Sequence, residues 1–452
     1  MRQPELLRQP SEKRIHNILE VSAGLSKIQS LEESRRCPQC ADPVCTRGCP
    51  LGIDIPGFIR LMREKDNTLA LKRIQEANPF PAICGRVCRA PCETACIYHK
   101  ENAPISIRAL ERFAADNGRR LAERPSKGAP GKKIAIVGSG PAGLTAAAIL
   151  IRRGFTPVIF ETDPEPGGVL RYGIPEFRLP KKILAREIAE LTAAGVKIRT
   201  NVMVGLNLPF KDIFTEGFAA ILLAAGRSQV SAIKIPGAHL GGVYVAQEML
   251  KRIYLRKEDP FPKSHLPLVL GNKAAVIGAG YGALDLCRWL VRLNREVKLL
   301  VAGLEEEMPV HKDDLAFAKE EGVQVESLTR ALEILGNAGQ KSVGVKCRRL
   351  DFRAQGEGNN WHLEEVAGSE FVVEADTVIV ETSCAPHVWW KQHASEWRWN
   401  ADGTLWTDPA TGMTSQDKVF AAGEITSGAG YLVDAMANGK RAARKIEEYL
   451  LK

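Results

Sequence analysis

Eight of the eleven cysteines fall between positions 37 and 96, and only Cys287, Cys347 and Cys384 lie beyond. The first group runs Cys37, Cys40, Cys45 and Cys49, with Pro50 directly after; in the second, Cys84, Cys88, Cys92 and Cys96 are each separated by three residues. Thiolates at such spacings can turn towards one soft metal centre, and four per centre is the usual complement of a 4Fe-4S cluster. Eight thiols therefore point to two clusters. In two-cluster ferredoxins the fourth cysteine of a short run, the one before Pro, often ligates the neighbouring cluster, so the two groups can be interleaved. Two other chemistries compete. A disulfide framework belongs to small secreted domains, and the polar, mixed-charge start at residues 1–11 does not read as a secretion signal. Structural zinc shares the C-x-x-C half-site, but no histidine pattern accompanies these cysteines.

The elements that must position the thiols read as helices. Ile55, Phe58, Ile59 and Met62, then Leu69, Leu71, Ile74 and Ala77, recur at helical spacing. Residues 1–125 are thus expected to form a small helical domain, followed by a linker at residues 123–131, rich in Pro, Gly and charge. The whole chain has 452 residues, enough for two or three domains with cores of their own. Its hydrophobic fraction of 45% and charged fraction of 25% are those of a globular protein. No stretch approaches the roughly 18 apolar residues of a membrane span, so a cytoplasmic protein is expected. The net charge of +9 comes from scattered Lys and Arg with no basic tract interleaved with aromatics, which argues against a nucleic-acid partner.

From Lys132 the texture changes to short β-branched runs alternating with helical patterns: residues 134–137, then 142–152, then 158–160. The first run enters Gly138-Ser139-Gly140-Pro141-Ala142-Gly143, a G-x-G-x-x-G turn opening a helix. Gly138 permits the tight turn, Gly140 lets a pyrophosphate approach the backbone, and Gly143 lets helix and strand pack closely. Glu161 closes the next strand, where a carboxylate can accept hydrogen bonds from ribose hydroxyls. Gly167 and Gly168 form a second close-approach turn. A glycine turn can serve packing alone, but here strand, helix and acid agree. The same order returns at residues 274–300, implying a second nucleotide-binding unit. Residues 418–450 hold a strand, a glycine turn and an amphipathic helix, expected to complete the first unit and so make it discontinuous.

These residues resemble a known family: the small (beta) subunit of bacterial glutamate synthase, the N-terminal half of dihydropyrimidine dehydrogenase, and the NADP-binding subunit of bifurcating ferredoxin oxidoreductase. Both cysteine groups, the 138–143 turn, the 161–168 stretch, Arg171-Tyr172-Gly173-Ile174-Pro175 and Leu179-Pro180-Lys181 carry the likeness, which covers nearly the whole chain. The run RYGIPEFRLPK is far more specific than any glycine motif. The resemblance implies an α/β chain with a helical iron-sulfur domain followed by two Rossmann-like domains in a glutathione-reductase-like tandem. FAD is then expected on Gly138, Gly140, Pro141, Ala142, Gly143, Glu161, Gly167, Gly168, Arg171, Gly173, Ile174, Pro175 and Lys181. It adds Ala225 and Gly226, where the family usually has Thr-Gly, and Gly423 with Glu424, where the family usually has Asp. It further implies one cluster on Cys37, Cys40, Cys45 and Cys96, and another on Cys49, Cys88, Cys92 and a carboxylate or amide matched by Glu111, with Cys84 spare. Spacing alone would make Glu111 a solvated helix carboxylate. The implied domains are 1–125, then 130–245 with 385–452 for FAD, and 246–384 for NAD(P).

The second unit keeps its turn, Gly278, Gly280 and Gly282, and Asp285 and Arg288 match the family pattern that follows. Its ligand contacts differ. Val301 stands as far beyond Gly278 as Glu161 stands beyond Gly138, and its side chain accepts no hydrogen bond. Ala302-Gly303 replaces the family's arginine pair for a 2′-phosphate, and Glu305, Glu306 and Glu307 would repel one if they faced it. At residues 381–386, Glu-Thr-Ser-Cys-Ala-Pro stands where relatives carry Ala-Ile-Gly-Gln before the proline. NAD(H) use and no nicotinamide binding both stay open.

Two functions follow. The first is an FAD- and iron-sulfur-dependent oxidoreductase subunit passing electrons between NAD(P)H, flavin and clusters to a partner, a larger redox-enzyme subunit or a ferredoxin-like protein, in a hetero-oligomer. The second is an electron relay within a hydrogenase- or formate-dehydrogenase-type complex that has lost nicotinamide binding. Neither needs a side-chain acid or base, since the cofactors carry the chemistry. Trp389, Trp390, Trp397, Trp399 and Trp406 read as a packed subdomain before a partner surface, and His311 with Asp313 as surface groups.

Overall fold

A computed structural model of the chain describes residues 3–101, 103–120, 131–255, 270–354, 361–394 and 396–452. Of the linker at 123–131, residues 123–130 lie outside the described residues. The cysteine-bearing region is built of short helices with side-chain caps. Ser26 and Gln29 form a reciprocal capping box at the start of Lys27–Arg36, and Asp54 and Asp66 accept from backbone N–H groups at the starts of Ile55–Arg63 and Asn67–Gln75. The face read from the sequence, Ile55, Phe58, Ile59 and Met62, is buried. It joins Ile134, Leu144 and Met436 of the first α/β unit in one continuous core, so the helical region and that unit fold against each other.

The first sheet is fully parallel, in the order Val419–Ala421, Phe218–Leu223, Lys133–Val137, Thr156–Phe160, Lys197–Arg199. Its outer strand comes from the end of the chain, so the unit is discontinuous. The following helix, Leu432–Leu451, crosses Pro141–Arg152 so closely that a Cβ on Gly439 would stand 2.1 Å from the Ala142 carbonyl oxygen. Trp397 lies in the core on the other face of this sheet, with Trp390 and Trp399 packed against it.

The second sheet is also parallel, in the order Gln324–Glu326, Glu296–Leu300, Lys273–Ile277, Thr377–Val380, Val243–Val245. An antiparallel layer of Thr329–Gly336, Ser342–Ala354, Trp361–Glu365 and Phe371–Glu374 packs beside it. The sequence pattern alone did not suggest that layer. Cys287 and Cys347 are fully buried packing residues.

A seam of buried charge joins the three parts. Asp314 of the second unit faces Arg108 of the helical region and Arg178 of the first unit, each at 3.5 Å. Arg178 also meets Asp285 at 2.7 Å. Two helical turns along, Glu321 accepts from Arg288 (2.8 and 2.9 Å) and Arg292 (2.6 and 3.2 Å). It also meets Arg14 of the amino-terminal segment at 2.9 Å. Among the causes acting on Glu321, burial raises its pKa, but the guanidinium groups win and hold it at about 2.

Because Glu321 is more acidic folded than unfolded, the stability it contributes is full above its unfolded value and lost as pH falls from there towards 2. Glu321→Gln, which strands three buried guanidinium groups, is expected to cost about 3–5 kcal/mol and to flatten the loss of stability below about pH 5. Thermal melts across acid pH measure both.

Candidate functional site

Cys37, Cys40, Cys45 and Cys96 line one cavity, walled by Ile55, Ile59, Ile97, Ile105 and Ile107. Cys37 caps the end of Lys27–Arg36 and Cys45 lies in Val44–Gly48. Cys96 arrives from the other end of the cysteine region because Gly48 lets Val44–Gly48 press on the Pro91–Thr94 turn: a Cβ there would stand 2.6 Å from the Ala95 Cβ. Burial pushes the Cys45 thiol up to about 11, and Cys37, Cys96 and Cys40 push the same way. A cation beside the Cys45 sulfur would offset that rise and favour the thiolate.

Cys49, Cys88, Cys92 and Glu111 form a second nest, with Cys84 beside it. Burial takes Cys88 to about 12, and Glu111 and Cys49 add to the shift. Cys92 is raised by burial first, then by Glu93, Cys88, Cys49 and Glu111. Glu111 is far from the solvated carboxylate that its spacing suggests: it is 6% exposed, and burial raises it to about 8. Asn78, itself fully buried, donates to one Glu111 oxygen at 2.6 Å. Sequence reasoning missed Asn78, whose chain distance from Glu111 gave no signal. The Cys84 Sγ faces Met436 Sδ at 3.5 Å, on the helix that backs the first glycine turn. Among the described residues no three His, Cys, Asp or Glu side chains converge on a single-ion site. Four soft donors around an apolar cavity, and three more within electrostatic reach of one buried carboxylate, suit iron-sulfur clusters.

The first glycine turn is an open cradle. Gly138 has φ +102 and would place a Cβ 2.5 Å from the Ala224 oxygen, while a Cβ on Gly143 would stand 2.1 Å from the Gly138 oxygen. A Cβ on Gly140, at the head of the helix, would meet nothing within 4 Å, the space a pyrophosphate needs. Pro141 and Ala142 begin that helix. Glu161 accepts from the Ser139 N–H at 2.9 Å, from the Ser139 hydroxyl, and from the Asp163 N–H at 2.9 Å. The Ser139 hydroxyl in turn accepts from the Gly167 N–H at 2.8 Å, so one serine ties the acid to the Gly167-Gly168 turn. Sequence reading passed over it as the variable position of the motif.

The surrounding residues hold the cradle's shape. Arg171 donates to the Pro166 carbonyl (2.6 Å), Glu165 (2.7 Å) and the Tyr254 hydroxyl (2.9 Å). Lys181 donates to the carbonyls of Leu170, Ile174 and Leu179, closing the loop that carries Gly173, Ile174 and Pro175. Ala225 and Gly226 follow the strand Phe218–Leu223, and Gly226 (φ +65) faces open space. Gly423 (φ +80) brings the Glu424–Ser427 turn against Ala142. Glu424, raised by burial, accepts from the Gly430 N–H at 3.2 Å. Among these residues the cradle fits a dinucleotide.

The second turn does not, as it stands. The Glu381 carboxylate accepts from the Gly280 N–H at 2.8 Å and the Ala283 N–H at 3.2 Å. A Cβ on Gly278, Gly280 or Gly282 would stand 2.6–2.7 Å from Glu381 atoms. Glu305 instead pairs with Lys319 at 2.7 Å, and Glu306 and Glu307 are exposed. Asp285 and Arg288 are spent on the charge seam. His311 departs from its surface reading: it is buried, with Arg108 at 3.1 Å from Nδ1 and Glu93 at 3.7 Å from Nε2.

Residues 14–122 match the family described as dihydropyrimidine dehydrogenase domain II, 4Fe-4S cluster, and residues 132–442 match pyridine nucleotide-disulphide oxidoreductase. The glutamate synthase (NADPH) small chain of Escherichia coli (strain K12) is 31% identical over 450 residues, 96% of this chain and 94% of its own. The NADP(+)-dependent formate dehydrogenase subunit beta of Moorella thermoacetica is 33% identical, over 90% of this chain and 60% of its own. Among solved structures, Mycobacterium tuberculosis FprA in complex with NADPH aligns with a TM-score of 0.58 at 18% identity, over 71% of this chain and 85% of its own, a likeness of fold.

Gly143→Val is expected to yield protein without flavin colour, because the helix can no longer close on the turn. Ser139→Ala should keep the fold and bind FAD about tenfold more weakly, the loss of one buried hydrogen-bond link worth about 1–1.5 kcal/mol. Visible absorbance and FAD titration of the stripped protein read both.

Proposed function

This chain belongs to the family of FAD- and iron-sulfur-dependent oxidoreductases that contains the glutamate synthase small chains, and from that premise we propose that it is the electron-transfer subunit of a larger redox assembly. Relatives named as a small chain and as a beta subunit support a protein partner. The observation that carries the proposal is the sorting of the thiols into two nests of graded burial. Cys49, Cys88 and Cys92 are buried beside the first α/β unit, whereas Cys40 and Cys45 of the other nest are partly exposed. A partner docking at Cys40 and Cys45 therefore meets the outer nest first.

FAD exchanges electrons in pairs or singly, and iron-sulfur clusters pass them on singly. The chain's own residues hold and shield these groups. Cys37, Cys40, Cys45 and Cys96 ligate one cluster, and Cys49, Cys88, Cys92 and Glu111 the other, with Asn78 fixing the Glu111 carboxylate. Ile55, Ile59, Ile105 and Ile107 give the outer nest an apolar inner wall, leaving its Cys40 and Cys45 side open to a partner. Lys440 donates to the carbonyls of Leu51 (2.8 Å) and Ala77 (3.1 Å), clamping the deep nest onto the helix behind the FAD cradle. In that cradle Glu161 would hold a ribose, and the amide end of Pro141–Arg152 would hold the phosphates.

A second reading, a relay that takes no electrons from nicotinamide, is favoured by the Glu381 carboxylate on the second turn. Anaerobically purified protein is expected to be yellow-brown and to hold about eight irons per chain, two clusters' worth. Cys37→Ala and Glu111→Ala should each lower the iron content and alter the electron paramagnetic resonance of the reduced protein, while Cys84→Ala should keep both. Zinc in place of iron, or no flavin, would falsify the proposal.

A further inference from the structure

The second unit has kept its fold and its glycines, yet a side chain of the same protein sits where a ligand's anion belongs. The strand Thr377–Val380 runs beside Lys273–Ile277 with Val380 opposite Ile277. The next residue therefore emerges directly beside the glycine turn, and the Glu381 N–H donates to the Ile277 carbonyl at 2.8 Å. Its side chain folds over the turn and accepts from Gly280 and Ala283 at the amino end of the twelve-residue helix Tyr281–Arg292. Those are the amide hydrogens, and that is the helix end, through which such a turn holds a pyrophosphate. In the first unit the corresponding glycine, Gly140, faces open space.

We infer that Glu381 is an intramolecular stand-in for the dinucleotide pyrophosphate and sets whether this chain accepts a nicotinamide nucleotide at all. The inference rests on the electron-transfer reading above and deepens it. A pyrophosphate arriving at the turn finds both donors taken and a fixed negative charge in its place, so entry requires the carboxylate to leave. The surrounding chain resists that departure. Gln247 donates to the Thr382 carbonyl at 2.6 Å, and the Ser231 N–H donates to the Ser383 carbonyl at 2.9 Å. Cys384 and Ala385 pair with Val230 and Gln229. Residues 382–385 are thus pinned on both sides, and only the Glu381 side chain is left to move.

The test uses the holoprotein. Equilibrium dialysis with NADH and with NADPH compares the parent, Glu381→Ala and Glu381→Gln, each first checked for flavin and iron content. Glu381→Ala is expected to bind at least one of the two about tenfold more tightly than the parent, or more. Hydrogen exchange at the Gly280 and Ala283 amides should be slow in the parent, fast in Glu381→Ala and slow again with nucleotide added. Should Glu381→Ala not fold, Glu381→Gln decides, since it keeps the side-chain volume and removes the charge. Flavin- and iron-replete variants that bind no better than the parent overturn the inference. A parent preparation without flavin or iron overturns the electron-transfer reading instead, so the two failures are told apart.

Discussion

Two buried carboxylates, Asp314 and Glu321, hold the three parts of this molecule in one arrangement. Asp314 meets an arginine from the helical region and another from the first α/β unit, and Glu321 gathers Arg288, Arg292 and the amino-terminal Arg14. Buried ion pairs add little net stability over apolar packing, because desolvation offsets the attraction. What they do is penalise every other docking, since any slip strands a charge in a dry interior. The nests and the FAD cradle share a core, and this seam fixes the second unit against both.

That role changes how the second unit's motif residues should be understood. Asp285 and Arg288, which follow the second glycine turn in the sequence, bond to Arg178 and Glu321. The unit can therefore be retained for architecture even where its glycine turn is occupied by Glu381. Its preserved glycines are a poor guide to occupancy, because the turn must also accommodate the carboxylate folded over it.

Much of this was legible from residue types. The cysteine spacing announced soft-metal chemistry, the first glycine turn announced a dinucleotide, and the discontinuity of the first unit followed from the strand pattern near residue 419. The sorting of the thiols was not legible from spacing, which left the groups interleaved in an unspecified way; family resemblance supplied a partition, and the packing of Gly48 on Ala95 gives its physical basis. The antiparallel layer at residues 329–374 was missed because its strands break the alternation with helices. The departure at residues 381–386 was visible as a changed run before the proline, but its consequence lay hidden in strand order. Residue 381 reaches Gly280 across 101 positions of chain only because two parallel strands lie side by side. Sequence offset carries no such information. His311 was misjudged for a related reason: its partners, Arg108 and Glu93, come from another domain.

The first unit closes with Val419–Ala421 and Leu432–Leu451, which supply its outer strand and the helix that presses on Ala142. During synthesis the thiol region emerges hundreds of residues ahead of these elements. All the candidate thiol ligands are therefore synthesised before the strand and helix that complete the cradle of the first glycine turn. The path of the backbone thus brings one late helix against both sites, since Leu432–Leu451 backs the glycine turn and also meets the thiol region through Met436 and Lys440.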